Sequence, residues 1–141
     1  MDSRIFSDFP MGLDEDLLKV PMENRLYYQP ESNELFINLE NYAIRCKEDI
    51  EALYANVENA CASLEKPVYC VVNYDNFVTV SHFIDHYLDM IRYFKQNYFT
   101  QMNGYTTSAF LRTQINNTLG KQKEALNLFD SLQAAEQALK D

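Results

Sequence analysis

The stretch "VYCVVNY", residues 68–74, decides the fold of this chain. It has too many β-branched residues and too short a span for a helix, and such apolar runs are typical of buried strands. Helical spacing precedes it in residues 46–65 and follows it in residues 79–99. A strand between two helices predicts a parallel α/β sheet, with residues 68–74 as its central strand.

The remaining elements extend this pattern in both directions. "NRLYYQ" (24–29) and "ELFINLE" (34–40) predict two strands of a hairpin, because in the second strand Leu35, Ile37 and Leu39 alternate with Glu34, Phe36 and Asn38. Residues 102–108, after a turn at Gly104, and residues 125–131 predict further strands. Residues 109–120, closed by a glycine cap, and residues 132–140 predict helices. The order β-β-α-β-α-β-α-β-α predicts an α/β fold with a mixed, mostly parallel sheet.

Composition limits the classes of partner. The 141 residues suit one domain, and residues 1–22, punctuated by Pro10, Gly12 and Pro21, predict a connecting arm before an α/β domain at 23–141. The net charge is −9 and the 12 basic residues are scattered, so we expect no nucleic-acid partner.

Cysteine usage and hydropathy bear on location. Cys46, Cys61 and Cys70 form no CxxC pair, and their odd number suits reduced thiols in a cytoplasmic protein. Cys70 is expected to be a buried inert thiol, and Cys46 and Cys61 to be packing residues. The acidic N-terminal residues do not fit a signal peptide, and no stretch approaches the roughly 20 apolar residues of a membrane span. We expect a soluble, cytoplasmic protein.

Two loops are the candidate site. One follows the central strand and the other follows the next predicted strand, so parallel strands would bring both loops to one edge of the sheet. We expect this edge to be a ligand or partner surface formed by Asn73, Tyr74, Asp75, Asn76, Phe77, Tyr105, Thr106, Thr107, Ser108 and Arg112.

Each loop has a second interpretation. The hydroxyl and N–H groups of Thr106–Ser108 at a helix start, with Arg112 one turn on, suit a phosphate or carboxylate. Alternatively, Thr107 or Ser108 is only the N-cap and Arg112 pairs with an acid. Asn73–Asn76 likewise presents a surface, or forms an Asx-type turn that caps the following helix. Both pairs of alternatives stay open.

Motifs for metals and catalysis are weak. His82 and His86 are four residues apart, but Phe83 stands where a zinc protease has glutamate, and no further ligand completes a set. We expect a solvated face and no metal. The sequence contains no G-x-S-x-G elbow and no phosphate-cradling glycine loop, so no catalytic residue is predicted.

Several motifs resemble one family. "MDSRIFSDFPMGL" (1–13) resembles the peptide that follows the catalytic halves of acetate/3-ketoacid-type acyl-CoA transferases. "VVNYDNF" (71–77), "GYTTSAFLR" (104–112) and "LFDSLQAAEQAL" (128–139) resemble a C-terminal module of its long members. The element order is also similar to the STAS-type domain of anti-sigma-factor antagonists and sulfate transporters. The phosphorylated "Asp-Ser-Ser-Gly" serine of those antagonists has no counterpart in "NYDNFVTVS" (73–81).

The resemblance implies a STAS-like accessory module with a regulatory or interaction role. The family's catalytic glutamate lies in a glycine-rich loop, whereas this chain has three glycines and no glutamate in such a loop, so it should not transfer CoA alone. The implied partners are the transferase's catalytic part, in cis or trans, or a second copy. No cofactor is implied, with CoA or acyl-CoA left open as a ligand. Two alternatives remain: a subunit that completes an active site in trans through Asp75 or Tyr74, and a stand-alone binder of a small anion or acyl-CoA.

Overall fold

A mixed sheet forms the centre of the molecule in a computed structural model that describes residues 20–119 and 127–140. Seven strands occur in the described residues: β1 (Leu26–Gln29), β2 (Glu34–Asn38), β3 (Ala43–Ile44), β4 (Val68–Asn73), β5 (Val78–Thr79), β6 (Phe99–Tyr105) and β7 (Leu128–Phe129). Five of them form one sheet in the order β1-β2-β4-β6-β7, and β3 pairs with β5 separately. Only β1 in the five-stranded sheet is antiparallel to its neighbour.

In the part of the chain that the structure describes, four α-helices connect or follow these strands. They are α1 (Lys47–Ala62), α2 (Ile84–Asn97), α3 (Ala109–Leu119) and α4 (Leu132–Gln137). Short 3-10 helices occupy Met22–Arg25, Ser81–Phe83 and Ala138–Lys140. In the described residues, no helix is both long and apolar enough to cross a membrane.

The first two strands form the expected hairpin. Leu26 lies opposite Ile37, and the pairing continues to Gln29 and Glu34. Asn33 closes the turn with a φ of 54°, in the left-handed region that asparagine tolerates better than most residues. The Tyr28 hydroxyl donates to Asn33 Oδ1 at 2.8 Å, which ties the turn to the strand.

The helices divide unequally between the two faces of the sheet. The strand order follows the chain without reversal, so right-handed crossovers place α1, α2 and α3 on the same face. Their apolar residues pack with Leu35, Cys70 and Val72 in the larger core. On the opposite face, Ala135 of α4 and Leu139 pack on Val71 in a smaller core.

The predicted α/β architecture and the order of the longer elements are confirmed, with corrections to element boundaries and to the turn at Gly104. Thr79 belongs to β5, where it pairs with Ile44, so the helix expected from residue 79 begins instead at Ile84. The expected turn at Gly104 is wrong, because Gly104 lies inside β6 opposite Val72. A Cβ at Gly104 would approach Tyr74 Cε2 to 2.5 Å, so the glycine serves a close packing contact.

Two strands were not predicted, and two predictions concern residues that the structure does not describe or describes only in part. The short strands β3 and β5 were not anticipated, because two-residue strands carry too little periodicity to be recognised. The connecting arm at 1–22 falls outside the described residues except for 20–22. The glycine cap at Gly120 lies outside them as well.

Candidate functional site

The two loops meet at the carboxyl end of the sheet. Strands β4 and β6 are parallel neighbours, and Asn73 lies opposite Tyr105 at their ends. The next turn from β4 carries Asp75, whose Oδ1 accepts hydrogen bonds from Thr106 Oγ1 at 2.7 Å and from the Thr107 backbone N–H at 2.8 Å. The expectation that parallel strands bring both loops to one edge is therefore confirmed.

The start of α3 already holds an anionic group of the chain itself. Thr107 donates to the Asp75 carboxylate through its backbone N–H and, at 3.3 Å, through its hydroxyl. Ser108 Oγ accepts from the Leu111 N–H at 3.2 Å and so acts as the N-cap. Arg112 Nη1 donates to the Thr106 carbonyl at 2.6 Å. Asp75 thus takes the position predicted for a phosphate or carboxylate ligand.

The turn after β4 is an Asx turn. The Asp75 N–H donates to Asn73 Oδ1 at 2.9 Å, and Asn76 has a φ of 56°. Asn76 Nδ2 donates to Asn41 Oδ1 at 3.1 Å, across to the loop after β2. The turn leads into β5 and does not cap a helix, so that part of the expectation is corrected.

Tyr74 and Phe77 lie in the core. Tyr74 is 0% exposed and Phe77 is 2% exposed, and their ring centroids are 5.4 Å apart. The Tyr74 and Tyr87 hydroxyl oxygens lie 2.6 Å apart, in hydrogen-bond contact. Burial raises the pKa of Tyr74 well above its usual value, with a further contribution from Tyr87. The two rings therefore give the turn its shape without reaching its surface.

The other predicted residues differ in accessibility. Asn73, Tyr105 and Thr106 are buried, whereas Asp75, Ser108 and Arg112 are half-buried and Asn76 and Thr107 are exposed. Burial, followed by the charge of Asp75, raises the pKa of the Tyr105 phenol to about 12. Only part of the predicted set thus faces solvent.

One exposed aromatic residue beside these loops was missed. Phe110, in the first turn of α3, is 65% exposed. Leu111 and Ile115, four residues apart, pack against the core, so Phe110 lies on a different face of the helix. In the sequence, the exposure of Phe110 is indicated by its position outside the i, i+4 spacing of Leu111 and Ile115. We call Asp75, Asn76, Thr107 and Phe110 the loop edge.

Arg25 organises the neighbouring loop and was also missed. Its Nη1 donates to the carbonyls of Asn38 at 3.0 Å and Glu40 at 2.9 Å, while its guanidinium lies 5.1 Å from the Tyr42 ring centroid. Burial lowers the pKa of Arg25, and the Tyr42 and Glu40 charges partly oppose this. Asn38 Oδ1 then accepts from Asn73 Nδ2 at 3.1 Å. This network links the loop after β2 to β4.

The remaining candidates are two histidines and three cysteines. The rings of His82 and His86 are exposed, with centroids 6.3 Å apart, and no group of three or more metal-ligating side chains occurs in the described residues. Cys61 and Cys70 are buried; burial raises the pKa of Cys61 to about 11 and raises that of Cys70 well above its usual value. Cys46 is exposed before α1, so its expected packing role is wrong: the N-cap position lies outside the helix's apolar stripe.

Comparisons with models of protein families, with curated proteins and with solved structures find no match to this chain. No relative therefore bears on the resemblance to a CoA-transferase module or to a STAS-type domain. The evidence for a function is therefore the contacts of the loop edge and the sequence motifs at residues 1–13, 71–77, 104–112 and 128–139.

Proposed function

We propose that this chain is a non-catalytic interaction module associated with an acyl-CoA:acetate/3-ketoacid CoA-transferase and that it docks through the loop edge. The observation that carries the proposal is the Asp75 carboxylate, whose Oδ1 accepts hydrogen bonds from Thr106 and Thr107. These bonds use the loops' polar groups to hold the edge in one conformation. Phe110, in the first turn of the helix that follows Thr107, is exposed to solvent.

A fixed edge with an exposed aromatic residue suits protein contact. Aromatic residues are enriched in interfaces, where a few well-packed side chains carry most of the binding free energy. Phe110 offers such an anchor, and exposed Thr107 and Asn76 offer polar groups around it. A rigid loop also loses little conformational entropy on binding. The identity of the partner, the transferase's catalytic part, follows from the resemblance of the motifs.

The contacts disfavour the alternative in which Asp75 or Tyr74 completes an active site in trans. A general acid or base must come within hydrogen-bond reach of the substrate. Tyr74 is 0% exposed and its hydroxyl contacts Tyr87. Asp75 is engaged by Thr106 and Thr107, and neither loop contains a histidine.

The docking proposal is tested by measuring binding to the purified catalytic part of an acetate-type CoA-transferase by biolayer interferometry. Phe110→Ser should weaken binding by about tenfold or more, as expected for a truncated aromatic anchor. The matched control is Tyr27→Ser on β1, since Tyr27 is 62% exposed and lies outside the loop edge. An equal loss in both variants, or wild-type binding by Phe110→Ser, would contradict docking at this edge.

Two further measurements separate the alternatives. CoA transfer by the purified chain alone would overturn the non-catalytic assignment. A saturable rise in Tm with CoA or acetyl-CoA, abolished by Arg112→Ala, would instead indicate a stand-alone anion binder. We expect no CoA transfer, because the chain has no glutamate in a glycine-rich loop. We expect no anion-dependent rise in Tm, because Asp75 lies at the start of α3 where the anion would bind.

A further inference from the structure

A groove runs between α1 and α2, and no residue of the loop edge lines it. Its volume is about 350 Å³, with Ile50 of α1 and Met90 of α2 supplying apolar surface. Both side chains are largely buried by the core beneath, at 8% and 6% exposure. The groove therefore has a firm floor that belongs to the packed interior.

Two tyrosines form an ordered aromatic wall. The rings of Tyr54 and Tyr93 stack with centroids 5.6 Å apart and an interplanar angle of 28°. Both hydroxyls donate to Glu58 Oε2, at 3.4 Å from Tyr54 and 2.9 Å from Tyr93. The shared carboxylate holds the two rings in place, so this wall exists before any partner binds.

The two sides of the groove carry acidic groups. Glu51 of α1 and Asp89 of α2 both line it, and their side chains are 60% and 73% exposed. Among the described residues that line the groove, His86 is the only basic type, and no lysine or arginine is present. A partner that carries positive charge on both sides of an apolar stripe would match this arrangement.

Each of these acids also pairs with a basic residue of its own helix just outside the groove. Lys47 Nζ lies 3.7 Å from Glu51, and Arg92 Nη1 lies 2.7 Å from Asp89, each on the same helix as its acid. Such exposed pairs contribute little to stability, so the cations of a partner can compete for both carboxylates. The net charge of −9 for the whole chain adds to the attraction for a basic partner.

We propose that this groove binds a basic amphipathic helix of a partner protein. A helix laid between α1 and α2 would place its apolar side chains on Ile50 and Met90, against the wall of Tyr54 and Tyr93. Lysine or arginine side chains flanking that stripe would reach Glu51 and Asp89. The proposal is independent of the loop edge and of any association with a CoA-transferase.

The test uses a fluorescein-labelled, helical model peptide that has leucines at i, i+3, i+4 and i+7 and lysines on either side. Fluorescence polarisation against the full chain should show saturable binding that weakens as salt is added. Glu51→Gln together with Asp89→Asn should reduce affinity by about five- to tenfold, since each exposed pair contributes modestly. The matched control, Glu31→Gln with Glu65→Gln, changes the net charge equally at two exposed positions outside the groove and should bind as wild type.

Two peptide variants test the groove's two properties. Replacing the lysines with glutamates should abolish binding because of charge, and replacing the leucines with serines should abolish it because the floor is apolar. Several outcomes would overturn the proposal: no saturation below about 100 µM, equal loss in the control protein, or retained binding by the serine peptide. Retained binding by the serine peptide would indicate electrostatic adsorption alone.

Discussion

Tyr74 and Gly104 are fitted to each other, and their contact shows how a single residue sets the shape of the loop edge. Tyr74 is buried beneath the turn and its ring lies against β6 where Gly104 has no side chain. The neighbouring Asp75 can then reach Thr106 and Thr107. The glycine is thus required for the close packing of Tyr74 on β6.

Gly104→Ala is expected to destabilise the protein by roughly 1–3 kcal/mol, because the new Cβ would lie 2.5 Å from Tyr74 Cε2 and 3.1 Å from Leu128 Cδ2. Without this clash, alanine would stabilise a strand relative to glycine. Urea unfolding followed by circular dichroism measures the difference. A stability equal to or above that of the wild type would show that the ring moves aside freely.

Asp75→Ala should lower the free energy of unfolding by about 2 kcal/mol, because Thr106, which is 0% exposed, loses the acceptor of its hydroxyl. Asp75→Asn keeps an oxygen at Oδ1, so its free energy of unfolding should fall by distinctly less. Chemical denaturation of both variants provides the comparison. If the alanine variant were as stable as the wild type, the hydrogen bonds of Asp75 would not be what fixes the two loops.

At the scale of the element, the helices and the longer strands could be predicted from periodicity. The long apolar stripes of α1 and α2 made their existence clear, although Thr79 and Phe99 were assigned to a helix and belong to strands. The dipeptide Asn103-Gly104 is a strong turn signal, yet here a distant ring, Tyr74, requires the glycine within β6. Local sequence could not reveal that tertiary contact.

The sequence predicted where the two loops of the candidate site meet, but not the burial of Tyr74 or the role of Arg25. Strand polarity brought Asp75 and Thr107 together, as parallel pairing requires. The burial of Tyr74 was not predictable, because a tyrosine between polar residues resembles a surface residue. Arg25 was missed because its partners are the backbone carbonyls of Asn38 and Glu40, which leave no pattern in the sequence.

The N-cap of α3 yields a prediction for that helix. Ser108→Ala should cost about 1 kcal/mol, because the Leu111 N–H loses its side-chain acceptor. Ser108→Asp keeps an acceptor and adds a favourable charge at the helix N-terminus, although Asp75 lies nearby, so we expect a smaller loss. Thermal unfolding of the two variants tests the cap. A larger loss for aspartate would show that repulsion from Asp75 outweighs capping.

At the scale of the whole molecule, several buried tyrosine hydroxyl groups make the stability vary with pH in the alkaline range. Burial raises the pKa of Tyr105 to about 12 and raises the pKa values of Tyr74 and Tyr87 well above the usual tyrosine value. Each group keeps its proton more firmly when folded than when unfolded. The resulting stability is fully present below about pH 10, the ordinary tyrosine value, and is lost as pH rises through the folded pKa.

The free energy of unfolding should therefore fall steadily above about pH 10, as measured by urea titrations at about pH 8, 9, 10 and 11. Tyr74→Phe removes one of the groups, so its slope above pH 10 should be shallower, although its stability near pH 8 is lower from the lost contact with Tyr87. An unchanged slope in this variant would show that Tyr74 ionises similarly in both states.

The unreversed order of strands has a consequence for synthesis on the ribosome. Strands β1, β2, β4, β6 and β7 lie in the sheet in the order in which they are translated. Each newly made strand joins an open edge and never has to insert between two strands that are already paired. Because domains generally begin to fold from the N-terminal side during translation, this sheet can grow vectorially, with each crossover helix arriving just before the strand it delivers.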